Sequence, residues 1–223
     1  MKTFTTKYKD RKIDSQSLKK YYDAEALQTK SKKDSMYGKQ SWFQNKLWKE
    51  RMLAIQKYSP RSRFLDIGCA EGYLIDTVEG LLGSLVYYVG LDISEVYLKR
   101  AKEKVGAVVL ANAESLPFRN ASFDLILMSE VMEHCPNPYT AFREALRVTS
   151  KFLIVTTPQR SLLRRILDLF NFSKDTFDKR AGHISEISFG DILGWSKHSH
   201  AQIIDKRWDC YLPNGIINFF QVG

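Results

Sequence analysis

The chain has 223 residues, 44% of them hydrophobic and 26% charged, and it carries a net charge of +9. This length suits one α/β domain with additions, and this composition excludes a largely disordered chain. No apolar run approaches the ~18 residues of a membrane span, and the Lys-rich start lacks the apolar core of a secretory signal.

The charge is unevenly distributed along the chain. Residues 1–58 hold fifteen Lys/Arg and six Asp/Glu, a net +9, whereas residues 59–223 hold nineteen of each. We therefore expect a basic helical extension at 1–59, followed by one domain at 60–223. The extension is either a solvated arm or a segment that steers an anionic partner such as nucleic acid, anionic lipid or a phosphorylated substrate.

Within the extension, helices are predicted at 17–28 and 42–58. The region 61–157 then alternates short apolar runs with amphipathic segments, the pattern of a parallel sheet covered on both faces. Strands are predicted at 63–67, 86–92, 107–111, 123–129 and 151–157, and helices at 72–82, 95–105 and 137–149. Such a sheet binds ligands at the carboxyl ends of its strands.

The last region is less regular. A helix at 161–172, preceded by Arg160, lies in an insertion at 158–188 that we expect to cap an acceptor site or to touch an anionic membrane surface. A helix at 189–198, a strand at 202–208 and one strand within 211–222 follow. The fold class is α/β: a Rossmann-like doubly wound sheet, mostly parallel with an antiparallel edge strand, and helices on both faces.

The three cysteines, Cys69, Cys135 and Cys210, are widely spaced and form no Cys-x-x-Cys pair. We predict free thiols in a reducing compartment, hence a cytoplasmic protein, with peripheral membrane contact left open. No metal site is predicted.

The strongest local signal is the turn after the first predicted strand, Gly68-Cys69-Ala70-Glu71-Gly72. Small residues let the backbone approach a ligand, although a turn that only packs a helix on a strand has the same pattern. Ala70 and Tyr73 break a dinucleotide fingerprint, and no Gly-Lys-Ser/Thr ending marks a phosphate loop. Asp66 would repel a pyrophosphate but suits a cationic ligand.

Asp92 ends the next predicted strand, as Asp66 ends the first. An acidic residue at this distance after a glycine loop commonly binds ribose hydroxyls, although Asp92 followed by Ser94 also suits a helix cap. The combination is more specific than either residue alone.

In four sequence blocks the chain resembles the class I S-adenosylmethionine-dependent methyltransferases. The matching segments are Leu65-Asp66-Ile67-Gly68-Cys69-Ala70-Glu71-Gly72, Gly90-Leu91-Asp92-Ile93-Ser94, Asn112-Ala113-Glu114-Ser115-Leu116-Pro117-Phe118 and Ser122-Phe123-Asp124-Leu125-Ile126-Leu127-Met128-Ser129-Glu130-Val131-Met132-Glu133-His134. They span residues 63–157 in the order and spacing of that family.

The resemblance implies S-adenosylmethionine as cofactor, with Asp66 and the glycine loop at its methionine part, Asp92 at the ribose and Ile93 beside the adenine. Asn112 stands where the family commonly has Asp. The implied cofactor residues are Asp66, Gly68, Cys69, Ala70, Gly72, Asp92, Ile93, Asn112, Ala113, Glu114 and Ser129.

The segment Ser129-Glu130-Val131-Met132 replaces the Asn/Asp-Pro-Pro-Tyr/Phe loop of nucleic-acid amino and glutamine methyltransferases. Glu-x-x-Glu-His resembles small-molecule, lipid-quinone and sugar methyltransferases instead. The expected reaction is direct in-line methyl transfer to a small-molecule, lipid-linked or glycan acceptor. An RNA or protein methyltransferase that uses the basic arm, and a non-catalytic cofactor-binding protein, remain alternatives.

Two histidines are candidate catalytic residues. His134 follows the fourth predicted strand and is the first candidate for a general base, because histidine titrates near neutrality. His183 follows the insertion and is expected to line the acceptor pocket. For each, a purely structural role is the alternative.

Overall fold

The computed structural model describes residues 14–28, 52–53, 55–58, 63–75, 78, 87–158, 183–208 and 216–221. The elements with defined bounds are α1 (Ser15–Gln28), β1 (Arg63–Ile67), β2 (Tyr87–Asp92), α2 (Glu95–Ala101), β3 (Val108–Leu110), β4 (Phe123–Ser129), a 3-10 turn (Met132–His134), α3 (Pro138–Val148), β5 (Thr149–Thr157), α4 (Phe189–His198), β6 (Gln202–Trp208) and β7 (Ile216–Gln221).

The strands form one sheet in the order β3-β2-β1-β4-β5-β7-β6. The first five strands are parallel, and β1 lies between β2 and β4, so Leu65 is opposite both Val89 and Ile126. The order reverses at β1, which opens a crevice beyond the carboxyl ends of the strands. The predicted α/β doubly wound fold is confirmed.

The sequence predicts an antiparallel strand at the edge of the sheet, but in the structure the antiparallel strand lies one position inside the edge. β7 runs antiparallel to both β5 and β6 and lies between them, which leaves β6 at the edge. Only seven residues separate β6 from β7, and so short a connection pairs two strands antiparallel. β7, the second strand of this hairpin, is the strand that pairs with β5.

The two faces of the sheet are covered by different parts of the chain. On one face, Leu65 and Ile126 pack with Phe142 of α3 and Ile192 of α4. On the other face, the cluster is formed by Met52, Ile55, Phe64, Leu74, Ile75, Val78, Tyr88, Val105, Leu125, Leu127 and Ile154. Alternating strand residues therefore enter opposite cores, which is why the central strands carry apolar residues on both faces.

The predicted strands at 63–67, 123–129 and 202–208 and the helix at 189–198 have the bounds expected from the sequence, and the other described elements differ by a few residues at their ends. The predicted helix at 161–172 and most of those at 42–58 and 72–82 lie outside the described residues. Within the part of the chain that is described, no helix has the length and apolarity to cross a membrane.

Candidate functional site

The turn after β1 has an unusual backbone. Gly68, Ala70 and Gly72 have φ angles of +77°, +46° and +70°, a left-handed region that suits glycine. A Cβ at Gly68 would lie 2.4 Å from Cγ2 of Val131, so the turn closely approaches the segment after β4. The amides of Gly68 and Cys69 donate to the carbonyl of Leu91 at 2.7 and 3.0 Å, which fastens the turn to β2.

Asp92 is buried at the end of β2. Its Oδ2 accepts from the Ala70 amide at 2.9 Å and its Oδ1 from the Ser94 amide at 2.8 Å. Burial raises the pKa of Asp92 to about 6, against the effect of these hydrogen bonds. Because each carboxylate oxygen accepts two hydrogen bonds, Asp92 retains acceptor capacity toward a ligand.

Asp66 is buried one strand away, at the end of β1. The Tyr88 hydroxyl donates to Asp66 Oδ2 at 2.5 Å, and the Tyr88 ring stacks on Phe64 with centroids 5.3 Å apart. Sequence reasoning missed Tyr88. The available signal was its register opposite Phe64, which places its side chain on the same face as that of Asp66.

The turn after β3 holds the predicted adenine-side residues. Asn112 Oδ1 accepts from the Glu114 amide at 3.0 Å, while its Nδ2 donates to Ser15 Oγ of α1 at 2.7 Å. Glu114 Oε1 accepts from the Asn137 amide at 3.0 Å, and Ala113 is buried. These contacts fix the turn, and the Asn112 amide oxygen has a second lone pair for a ligand.

Beyond β4 the chain bends sharply. Glu130 has a φ of +55°, and its Oε1 accepts from Thr156 Oγ1 at 2.8 Å. Ser129 Oγ lies 3.0 Å from the same hydroxyl. The 3-10 turn Met132–His134 follows directly.

The two candidate catalytic histidines are neighbours in space. The Glu133 carbonyl accepts from the Ile184 and Ser185 amides, both at 2.9 Å, which joins the segment after the insertion to the 3-10 turn. The rings of His134 and His183 are consequently 4.8 Å apart. Tyr22 of α1 lies edge-on to His134 at 5.7 Å, so α1 borders this cluster.

Comparisons with known proteins show the family to which the chain belongs. Residues 65–152 match the family model described as a methyltransferase domain. An uncharacterised protein of Methanocaldococcus jannaschii is 30% identical over 176 residues, which cover 75% of this chain and 82% of the relative. The chain belongs to the class I S-adenosylmethionine-dependent methyltransferases.

A ubiquinone/menaquinone biosynthesis C-methyltransferase of Shewanella sediminis is 31% identical over 155 residues, 64% of this chain and 62% of that protein. The match thus spans less than two thirds of such relatives. The magnesium protoporphyrin IX methyltransferase of Synechocystis PCC 6803 with bound SAH shares the fold, with a TM-score of 0.71, 14% identity and coverage of 94% of this chain and 100% of that one.

The cofactor of this methyltransferase is therefore S-adenosylmethionine, and the residues present fit it. Asp66 and Asp92 lie at the ends of adjacent parallel strands, 26 residues apart in sequence, with the three left-handed residues of the turn beside them. Buried carboxylates suit an ammonium group and ribose hydroxyls. A turn of mostly small residues lets the ligand come close to the backbone.

Proposed function

We propose that this methyltransferase transfers the methyl group to a small-molecule, lipid-linked or glycan acceptor. The observation that carries the proposal is the position of the His134 and His183 pair, past the end of β4 and 4.8 Å apart. They lie beyond the same ends of the strands as Asp66 and Asp92, and His134 faces Tyr22 of α1. The acceptor then lies between this cluster and the cofactor.

The segment after β4 supports this acceptor class. Where amino methyltransferases of bases carry a Pro-Pro loop, this chain has a bend at Glu130 followed by the 3-10 turn. Several relatives are named as quinone C-methyltransferases or demethylmenaquinone methyltransferases. These names point to quinone acceptors, which fall within the acceptor class proposed here.

The cofactor residues are proposed in the roles that the family implies. Asp66, held by Tyr88, accepts from the methionine ammonium, and Asp92 accepts from the ribose hydroxyls. Ile93 flanks the adenine, and the turn at Asn112 closes its far side. Bound S-adenosylmethionine supplies an electrophilic methyl group, so the protein has chiefly to hold an acceptor lone pair in line with the breaking bond.

Two larger features belong to the same proposal. The insertion at 158–188 is kept as the expected cap of the acceptor site, although residues 159–182 lie outside the described part of the chain. The basic extension at 1–59 is kept as a separate segment before the catalytic domain. Peripheral contact with an anionic membrane through residues 160–172 would bring a lipid-linked acceptor within reach.

The first test is calorimetric titration of S-adenosylmethionine and of its demethylated product into wild-type protein and an Asp92→Ala variant. We expect saturable binding that weakens at least about tenfold in the variant, since two ribose hydroxyls lose a charged acceptor. Asp124→Asn is the matched control. Asp124 pairs with Arg63 at the amino-terminal ends of β1 and β4, away from the proposed site. We expect this variant to bind the cofactor as wild type does.

The acceptor is then sought with methyl-labelled cofactor. Label incorporated into lipid or glycan extracts supports the proposal. Label found only in RNA or protein would favour an RNA or protein methyltransferase that uses the basic extension. Cofactor binding without transfer to any pool would favour a non-catalytic protein. No binding of either cofactor form would overturn the methyltransferase site itself.

A further inference from the structure

One cluster beside the proposed acceptor has the composition of a metal centre. Glu133, His134 and His183 each offer one ligand atom, and these three atoms all lie within 4.8 Å of one another. Within the set, His134 Nε2 lies 4.0 Å from Glu133 Oε1. Glu133 is 1% exposed and both histidines are half-buried, so the cluster is not a set of solvated surface charges.

The backbone holds the three side chains together from two distant segments. Glu133 and His134 are adjacent in the 3-10 turn, whereas His183 comes some fifty residues later. Two backbone amides donate hydrogen bonds to the Glu133 carbonyl, and Ser185 Oγ donates one to the Cys135 carbonyl at 3.2 Å. The two segments that carry the ligands are thus held together by hydrogen bonds that need no ion.

The spacing is close to that required. Nitrogen and oxygen ligands lie about 2.1 Å from zinc and similar ions, so two ligands of one tetrahedral ion are about 3.4 Å apart. The ligand atoms of the cluster lie within 4.8 Å of one another, so the longest separation has to shorten by up to about 1.4 Å, which is within reach of side-chain rotation. Two imidazoles and a carboxylate form the three-ligand set that binds first-row divalent metals and leaves further positions open.

We propose that Glu133, His134 and His183 bind a divalent first-row metal ion whose open positions take an oxygen of the acceptor. The metal site stands on its own geometry; its role toward the acceptor rests on the proposed function. A divalent cation also offsets part of the cost of burying the Glu133 carboxylate.

The site specifies an acceptor that bears a hydroxyl group. Metal coordination acidifies the hydroxyl, which releases its proton to solvent water. The resulting oxygen lone pair forms the new O–CH3 bond while the S–CH3 bond breaks, and the bond electrons remain on sulfur as the demethylated cofactor leaves. His134 and His183 then serve as ligands in place of the general base that the sequence analysis expected.

The test uses the full chain after metal removal with a chelator. Cobalt(II) is titrated and followed by its visible d–d absorption, and zinc(II) is titrated by calorimetry. We expect one equivalent to bind, and Glu133→Gln, His134→Gln and His183→Gln each to weaken that binding at least about tenfold. His198→Gln and His200→Gln, the remaining two of the four histidines, are matched controls with unchanged binding.

Two further measurements keep the proposal falsifiable if a variant folds poorly. In wild type, acetohydroxamate, a bidentate oxygen ligand, shifts the cobalt spectrum if coordination positions are open. Each variant is also titrated with S-adenosylmethionine, whose binding should persist because the cofactor contacts lie elsewhere.

Binding of less than one equivalent, an unchanged affinity in all three variants, or loss of binding in the His198 or His200 controls would overturn the metal site. The two proposals fail separately. Metal binding without cofactor binding would refute the methyltransferase site alone, and cofactor binding without metal binding would refute this inference alone.

Discussion

At the scale of single residues, backbone conformation carries information that residue type does not. Ala70 and Glu130 are non-glycine residues with φ angles of +46° and +55°, and both flank the candidate site. Such conformations cost about 1–3 kcal/mol and persist where the surroundings enforce them. At Ala70 the enforcing contact is the hydrogen bond from its amide to Asp92.

Gly68 is the position in this turn where a side chain should do most harm. A Gly68→Ala Cβ would lie 2.4 Å from Val131 Cγ2 and would sit at a φ of +77°. We expect the free energy of unfolding to fall by about 2–5 kcal/mol, the sum of backbone strain and overpacking. Denaturant unfolding measures this loss, and calorimetry should show weaker cofactor binding.

Gly106→Ala is the matched control, because a Cβ there meets nothing within 4 Å and its φ is not positive. It should leave stability unchanged or slightly raised. Combining Gly68→Ala with Val131→Ala should recover the steric part of the loss but not the φ part. A Gly68→Ala protein as stable as wild type would contradict the close approach of the two segments.

At the scale of elements, α1 is joined to the catalytic sheet at three points along its length. Ser15 accepts from Asn112, Asp23 Oδ1 accepts from Ser94 Oγ at 2.7 Å, and the Ala26 carbonyl accepts from Arg100 at 2.9 Å. Ser94 and Asn112 follow β2 and β3, where the proposed cofactor residues are, and Arg100 lies in the last turn of α2. The helix therefore covers one side of the site.

Asp23→Ala should loosen this helix, because Asp23 also accepts from the Val96 amide in the first turn of α2. We expect a loss of about 1 kcal/mol in the free energy of unfolding, faster hydrogen exchange across α1, and weaker cofactor binding. Lys20→Ala, an exposed position on the same helix, should change none of these. Unchanged exchange in Asp23→Ala would mean that the contacts at Ser15 and Ala26 and the buried Leu18 are enough to dock α1.

At the scale of the whole molecule, the sequence predicts the parallel core well because its strands are buried on both faces. The mostly apolar runs at 64–67 and 125–128 are short and bounded by turn residues, so their ends can be predicted from the sequence. The order of β6 and β7 cannot be predicted in this way, because either strand of a hairpin satisfies the same apolar pattern. Only pairing with β5 decides that β7 is the inner strand.

The site divides in the same way. Asp66 and Asp92 lie at the ends of predicted strands, and a parallel sheet brings such ends to the same edge. Their proximity therefore follows from the sequence. Tyr88 and Tyr22 act through contacts across strands and between a helix and a turn, and no local spacing encodes these. Likewise, His183 meets Glu133 through main-chain bonds formed only once the segment after the insertion has docked.

Cofactor binding should couple the stability of the whole molecule to pH through Asp92. Burial raises the pKa of Asp92 to about 6, above the ~3.9 of an unfolded chain. Without cofactor, the stability that Asp92 contributes is therefore complete below about pH 4 and is lost as the pH rises through about 6. Ribose hydroxyls donate to the ionised carboxylate, so the bound state has the opposite preference.

At a cofactor concentration 100 times its dissociation constant, the added stability is about 2.7 kcal/mol at pH 7. As the pH falls below about 6, the dissociation constant should rise about tenfold per unit, which removes about 1.4 kcal/mol of that increment for each unit. Thermal unfolding with and without S-adenosylmethionine between pH 5 and 8 measures the change. Asp92→Asn, which cannot ionise, should bind more weakly but with an increment independent of pH in this range. An increment that stays constant in wild type would assign the ribose contact to another group, because ligand binding could then not be drawing on the ionisation of Asp92.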